Sequence, residues 1–551
     1  MKRLIATMAV LMLILGGIVA SLPLFVSSST VRTYIVNHLE SLTGREVTFR
    51  GDPGVSFNPF LGIEVSDLVI SDPIAGPSAP PLLKVDKIQA QLDIIPALFG
   101  DIKITQYLLL RPRLNLKTYG NGNSNWHFKK GQLHEAFRHA QATLQGDAEA
   151  RSEEADLGTF IIVDGAITYE DEIAGQVENI TSIKGNIDWS NTAEAASIDT
   201  TAIWHGEIVA SKFDFSEPLN LMAGGESQAN VVFESAPAAI EFSGSANMLS
   251  NLFIKGELTL NTPSLQRFSE FFVTGFTDIY LPGTIDMAGQ IEATGDMLRI
   301  TEAEISVAGH SATGVLTLGT DEISNASING TLAFDTIDLS SFITDNSESI
   351  SQLTDSTDAK AVKVDLRVSA NTIDAGILNL SDVAAAVNVT ADNWTVDVGD
   401  SQTLGGNLIA RIGKRKEDDG PLILMEVTAT NVDAAAVSEL FPDRAVGITG
   451  TGNFNASLRS KNFADFLSTK GLNGSLEARL ANGSITGIDM TRLLAGTVDA
   501  ANNNLSDTEL GDKTDFDSSK FNFFIRNGIA SISQSSINSS DNRIQIIGRV
   551  D

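Results

Sequence analysis

The chain has 551 residues and no cysteine, which excludes disulfide frameworks, thiolate metal sites and thiol nucleophiles. Asp plus Glu number 69 against 38 Lys plus Arg, a formal net charge of −31, so a nucleic-acid polyanion would be repelled and any lipid contact must come through apolar surface. Hydrophobic residues are 42% and charged residues 19%, which excludes global disorder; abundant Gly and sparse Pro suit many strands joined by tight turns.

Lys2 and Arg3 are followed by no charged residue until Arg32, and the apolar density concentrates in residues 4–26. At about 1.5 Å per helical residue that run reaches roughly 34 Å, enough to cross a hydrocarbon core of about 30 Å. Leu4, Ile5, Val10, Leu11, Leu13, Ile14, Leu15, Ile18, Val19, Leu22, Leu24 and Phe25 are the candidate membrane anchor. Residues 1–3 would stay in the cytoplasm and everything after Ser27 would lie on the far side of the bilayer. A cleaved secretory signal shares this pattern, with Ser27 and Ser29 as a small-x-small site, although its apolar run should be shorter. Both readings export the rest of the chain.

Residues 31–42 predict a short amphipathic helix ended by Gly44, with Val31, Ile35, Leu39 and Leu42 on one face and His38 on its polar edge. From Glu46 the period becomes two. Val47 and Phe49, Val55 and Phe57, and Ile63 and Val65 alternate with polar residues. Val85, Ile88, Ala90, Leu92 and Ile94 mark further strands, and Ile102, Ile104, Leu108, Leu110, Leu114 and Leu116 mark three short ones.

Leu82, Leu83 and Lys84, the turn at Pro96 and Leu98, Gly100, the pair Ile102 and Ile104, Arg111 with Pro112, and the closing Asn125 with Trp126 resemble the N-terminal domain of the AsmA family. Trp126 reads as an aromatic capping the core at a strand end. The resemblance implies an inner-membrane-anchored periplasmic protein of the AsmA, TamB and YhdP type, with a single-pass helix and a cytoplasmic N-terminus. It places 27–130 in an N-terminal periplasmic domain. Residues 131–158 follow as a polar helical linker rich in Ala, Gln and Glu. His134, Glu135 and His139 within it do not have zinc-helix spacing, because residues at i and i+5 stand about 140° apart.

Strand patterning then continues through 159–344 and 361–470, separated by a polar loop at 345–360. Gly185, Gly256, Gly283, Gly330, Gly452 and Gly474 each precede a polar and then an apolar residue. A longer unit also repeats: Leu258 and Leu260 precede Leu265 and Phe268, Leu332 and Phe334 precede Leu339 and Phe342, and Val427 and Ala429 precede Ala434 and Val437. Such spacing predicts strands that feed short helical turns in an array whose units bury their apolar faces beside their neighbours. The charged run at 414–420 reads as an exposed hairpin tip. Residues 471–551 resemble the AsmA C-terminal segment: Leu476, Ala478 and Leu480, the turn at Asn482 and Gly483, Ile485, and a helix at 490–495 capped by Asp489. Relatives usually continue through another strand or two.

The predicted fold is therefore mostly β: the transmembrane helix, then an elongated, antiparallel, curved β-sheet groove of repeated strands with a few short amphipathic helices. The strands are sided, most cleanly where Val362, Val364, Leu366 and Val368 alternate with Lys363, Asp365 and Arg367. Leu258, Leu260, Ile285, Met287, Leu316, Leu318, Leu332, Phe334, Val387, Val389, Val396 and Val398 join those four apolar residues as the candidate groove lining. The resemblance implies that this groove shields phospholipid acyl chains and passes them between envelope membranes. It implies as partners the bilayer, acyl chains and the outer-membrane assembly machinery. An assembly factor or scaffold for outer-membrane proteins and lipopolysaccharide, without lipid conduction, is the alternative. No cofactor, metal ligand set or catalytic pair is nominated; scattered His and unpaired acidic residues do not support an enzyme.

Overall fold

The computed structural model describes residues 28–56, 62–72, 74, 79–92, 104–127, 129–146, 155–248, 252–272, 283–295, 297–320, 326–340, 362–390, 392–417, 420–440, 447–462, 471–487, 513–540 and 543–550. The expected anchor at 4–26, the polar loop at 345–360 and the helix at 490–495 lie outside these residues. Among the described residues, no helix is long and apolar enough to cross a membrane. The chain forms two compact units, residues 1–261 with 291–295, and 262–290 with 296–551.

In the first unit, α1 (Ser28–Thr43) leads into β1 (Val47–Ser56), β2 (Gly62–Ile70), β3 (Leu83–Leu92) and β4 (Ile104–Thr118). Then come α2 (Gln132–Leu144), β5 (Asp156–Asp171), β6 (Gln176–Asn191), β7 (Ala196–Trp204), β8 (Glu207–Phe215), α3 (Pro218–Met222), β9 (Ser227–Ser235), β10 (Ala239–Asn247) and β11 (Phe253–Thr262). Each strand pairs with the next, antiparallel throughout except between β4 and β5, which run parallel.

The second unit has α4 (Leu265–Phe272), β12 (Ile285–Thr294, whose end belongs to the first unit), β13 (Met297–Val307), β14 (His310–Thr320), β15 (Ala326–Asp338), β16 (Lys363–Asp374), β17 (Asn379–Val389), β18 (Trp394–Thr403) and β19 (Gly406–Glu417). It continues with β20 (Gly420–Asp433), α5 (Ala434–Glu439), β21 (Gly447–Ile448), β22 (Thr451–Ser460), β23 (Asn473–Thr486), β24 (Lys513–Arg526), β25 (Ile529–Asn538) and β26 (Arg543–Val550). From β13 to β26 the pairing is again sequential, with β20 reaching past the short β21 to pair β22. Here β15 and β16 run parallel.

The sheets are thus mixed rather than antiparallel. A parallel neighbour requires a crossover instead of a tight turn. The first crossover contains α2, and the second is the stretch that contains the polar loop.

Register explains a second correction. The residues expected to form three short strands at 102–116 belong largely to one long strand, β4. Arg111 lies at φ 49 in the left-handed region, and the pairing with β3 skips one position there. The register resumes unchanged beyond it, so Asp86 and Arg111 are passed over together and the apolar alternation shifts by one residue in both strands. Leu109 lies opposite Ile88 before it, and Pro112 and Leu114 lie opposite Val85 and Leu83 after it. Glu302, Asp382 and Asn431 make the same left-handed excursion in β13, β17 and β20, each beside a register shift.

The first unit has its main core at its start. Ile35 of α1 packs with Val47, Phe49, Ile63, Val65, Leu68, Val85 and Ile88, all buried. The end of α1 is pinned by a polar network. Gly44, at φ 66, ends the helix and donates its N–H to the Glu40 carbonyl at 2.7 Å. Buried Arg45 donates to the carbonyls of Asn125 (2.6 Å) and His127 (3.1 Å). Asn125, 1% exposed, donates to Asp72 at 2.9 Å and accepts the Lys117 N–H at 2.9 Å. The Tyr119 hydroxyl donates to Asp72 at 2.7 Å. Of the expected Asn-Trp pair, Asn125 is therefore the hub, while Trp126 is half-buried against Tyr169.

Helical turns begin at Leu265, Leu339 and Ala434, the positions at which the longer sequence unit places them. Asp433 caps α5 by accepting the Ala435 N–H at 2.8 Å. In the second unit these turns adjoin one margin of the sheet, where Ile305, Ile373, Val383, Val432 and Ile537 are buried. Leu339 packs with Ile373 and Val383, and Ala434 with Leu480, Phe516 and Ile537.

The recurrent strand glycines also have a physical reason. A Cβ on Gly330 would strike the Val315 carbonyl and come within 2.9 Å of the Leu316 side chain. Gly330→Val should cost about 1 to 3 kcal/mol by overpacking, read as a lowered thermal midpoint by circular dichroism. Tyr119 is pushed up to about 12, by burial first and then by the Asp72 carboxylate. An unfolded phenol titrates near 10, so the folded state keeps this proton longer. That contribution is complete below about pH 10 and is lost as pH rises toward 12. Tyr119→Phe should remove the tyrosinate absorbance that develops near pH 12 and that share of the alkaline sensitivity.

Candidate functional site

Directly opposed residues in neighbouring strands point to the same face of a sheet. In the first unit one row runs Ile63, Ala90, Tyr107, Phe160, Ile187, Ile198, Phe213, Val231, Phe242 and Leu258, one residue from each of ten successive strands. Every member is apolar. At its start the row lies within the core packed by α1, where Tyr107 and Phe160 stack at 5.0 Å. Further along, Ile187, Ile198, Phe213 and Leu258 are only half-buried.

The second unit repeats the arrangement. A row runs Ile300, Leu316, Gly330, Leu366, Val387, Val396, Ile412, Met425, Leu458, Gly474 and Ile525. Beside it lie Leu332, Val368, Ala385, Val398, Ala410, Val427, Ala456, Leu476 and Phe523. On the other side lie Leu318, Ile328, Val364, Val389 and Trp394. Leu332 is buried, while Leu316, Leu366, Val387, Val396, Ile412 and Met425 are half-buried. Within this unit the strands β13 to β26 pair in sequence, and the half-burial of these side chains comes from their neighbours along and across the strands.

One residue along, the character reverses. Thr331, Arg367, Ala386, Asp397, Arg411, Glu426 and Ser457 form a row on the opposite face. Arg411 pairs with Asp397 across strands, which raises the guanidinium pKa. Glu477 accepts Arg479 at 2.5 Å and Lys520 at 3.0 Å on the same face. These pairs are solvent-exposed, so they mark the wet side more than they stabilise it.

Of the candidate lining, Leu316, Leu318, Leu332, Phe334, Val364, Leu366, Val368, Val387, Val389, Val396 and Val398 come together on the dry face of the second unit. Val362 lies just before β16. Ile285 and Met287 share one face of β12, with Asp286 on the other. Leu258 and Leu260 belong to the dry face of the first unit, opposite Phe242 and Ile240. The anchor residues Leu4 to Phe25 lie outside the described residues. Sequence reading passed over Phe160, Ile187, Ile198, Phe213, Val231 and Phe242, although each follows the period-two rule. It also passed over Ile412 and Met425, and it read Leu458 and Phe523 as strand residues without assigning them to the lining.

An environment-sensitive apolar dye should find this surface. Leu366→Asp, placed mid-row, should lower bound-dye fluorescence severalfold, while Arg367→Asp on the wet face should leave it unchanged.

No curated protein and no solved structure matches the chain. Residues 1–208 match the model of the AsmA family, the stretch that holds the helix-capped core, the Asn125 network, the first parallel joint and the opening strands of the dry face. Over that stretch the chain is similar to the AsmA family.

Proposed function

We propose that the dry sheet faces accept lipid acyl chains, and that the protein shields such chains on their way between envelope membranes as part of outer-membrane biogenesis. The observation that carries this reading is the unbroken apolar register row, whose side chains are only half-buried. A contiguous apolar surface of this extent on an exported protein calls for an occupant. The AsmA match over residues 1–208 and the extensive β-sheet support the same reading.

The mechanism is passive. Each buried CH₂ is worth about 0.8 kcal/mol, and that gain is similar in a membrane and against an apolar protein surface. An acyl chain moving from one register row to the next would therefore cross a nearly level free-energy profile. Residues 4–26 would hold the chain in the bacterial inner membrane, with its N-terminus cytoplasmic and its bulk periplasmic. The partners are the bilayer and acyl chains, with the outer-membrane assembly machinery downstream. No catalytic step is required.

The test is to purify the full chain in mild detergent and to extract and weigh its lipid. Phospholipid should co-purify with the wild type, fall at least fivefold in the Leu366→Asp, Val396→Asp double variant, and persist in Arg367→Ala. Lipid-free wild-type protein that instead captures unfolded outer-membrane protein would overturn the proposal in favour of an assembly factor.

A further inference from the structure

Charge is spread unevenly along this acidic chain. Residues 28–130 carry 11 Lys plus Arg against 9 Asp plus Glu, whereas 131–551 carry 25 against 60. The part that follows the proposed anchor therefore escapes the repulsion that the rest would meet at an anionic surface. Within it, an open cleft of about 1050 Å³ lies beside β1, β2 and β3. Thr48, Val69 and Lys84, opposed across those strands, form a wall on the face away from the α1 core.

The charges in this cleft do not cancel. Arg45 and Asp72 line it but are committed to the Asn125 network. Of the rest, Arg50, Lys84, Lys129 and Lys130 face the carboxylates of Glu46 and Asp67, a surplus of cations. All four cations are exposed, and none of them forms an ion pair among the described residues. Lys84 lies in the field of Asp86, whose carboxylate Arg111 already holds at 2.7 Å. The backbone fixes both ends of the cleft. Lys130 packs so tightly on Gly44 that a Cβ there would strike its carbonyl. At the other end, Arg32 of α1 donates to the carbonyl of Phe49, the neighbour of Arg50, at 3.1 Å. The cleft thus reaches from the last residues of α1 back toward its start.

We infer that this cleft takes the phosphate of an anionic phospholipid headgroup, at the surface of the membrane that residues 4–26 are proposed to cross. The inference rests on that anchoring and not on the dry faces. A guanidinium and three ammonium groups supply only donors and positive charge, and a phosphate diester offers acceptor oxygens and one negative charge. Basic residues clustered just outside a membrane span are drawn to anionic lipid in the same way. Soluble phosphate esters share the chemistry, but the cleft's place next to the proposed anchor favours the lipid.

The experiment equilibrates the full chain in mild detergent with phosphatidylglycerol and phosphatidylcholine of the same acyl chains and measures the retained ratio. Wild type should prefer phosphatidylglycerol by about tenfold, and the preference should shrink as salt is raised. Arg50→Glu, and separately the Lys129→Glu, Lys130→Glu double variant, should bring the ratio close to one without changing phosphatidylcholine retention. Arg50→Lys should keep the preference. Lys255→Glu, which alters net charge as much as Arg50→Glu but on an exposed residue of β11 outside the cleft, should leave it unchanged. A preference that survives both cleft variants, or falls as far in Lys255→Glu, overturns the inference and leaves the anchoring and acyl-binding readings standing. Glycerol phosphate that displaces phosphatidylglycerol at equal concentration overturns the lipid assignment in favour of a soluble phosphate ester. Failure of wild type to retain either lipid removes the acyl-binding reading together with this inference.

Discussion

Register is the constraint on which the rest of this structure depends. Because side chains alternate strictly along a strand, a slip of one residue would turn its whole apolar set to the wet side. Leu366 meets Val387, Val387 meets Val396, and Val396 meets Ile412 because each pair holds its alignment. Neighbouring apolar and charged positions, such as Leu366 and Arg367, make any slipped pairing costly, since it would place a guanidinium in the apolar row. The same alternation that creates the dry face therefore also protects it.

Bulges let the strands be longer than a single run of alternation. At Glu302 of β13 the pairing passes from Ile300 to Ala303, an odd step, yet both residues are fully buried on one face. Val432 is likewise buried beyond Asn431, and Val383 beyond Asp382. The left-handed residue absorbs the extra position, and Asp and Asn tolerate that conformation better than most. In the second unit each such strand thus has two parts. One lies in the buried margin under a short helical turn, and the other offers its side chains to the half-covered face. Burial at the first margin stabilises the sheet, which frees the second from having to form a core.

Much of this was legible from residue types alone. Alternation identified the strands, their sidedness and the shared apolar face of β14 to β18, and the strand-then-turn unit placed the helical starts at Leu265, Leu339 and Ala434. What was not legible has identifiable causes. The left-handed residue at Arg111 breaks alternation locally, so β4 read as several strands. Parallel pairing leaves no mark within either strand and shows only in the length of the connection, so the joints at β4 with β5 and β15 with β16 were missed. Asn125 was noticed for its aromatic neighbour, because nothing in the sequence reveals that Arg45, Asp72 and Tyr119 converge around it. Lys414 read as part of a solvated tip, since only the pairing with Trp394 assigns it a face.

The antiparallel pairing has a further consequence for how such a chain can vary. A hairpin inserted between two existing strands returns the chain to its starting side and preserves the direction of everything downstream. Growth by two strands therefore needs only a pair of turns, whereas growth by one demands a new crossover like those before β5 and β16. Kindred chains should differ in strand number by even steps, and a designer wishing to widen or trim this scaffold has a unit of exchange already defined.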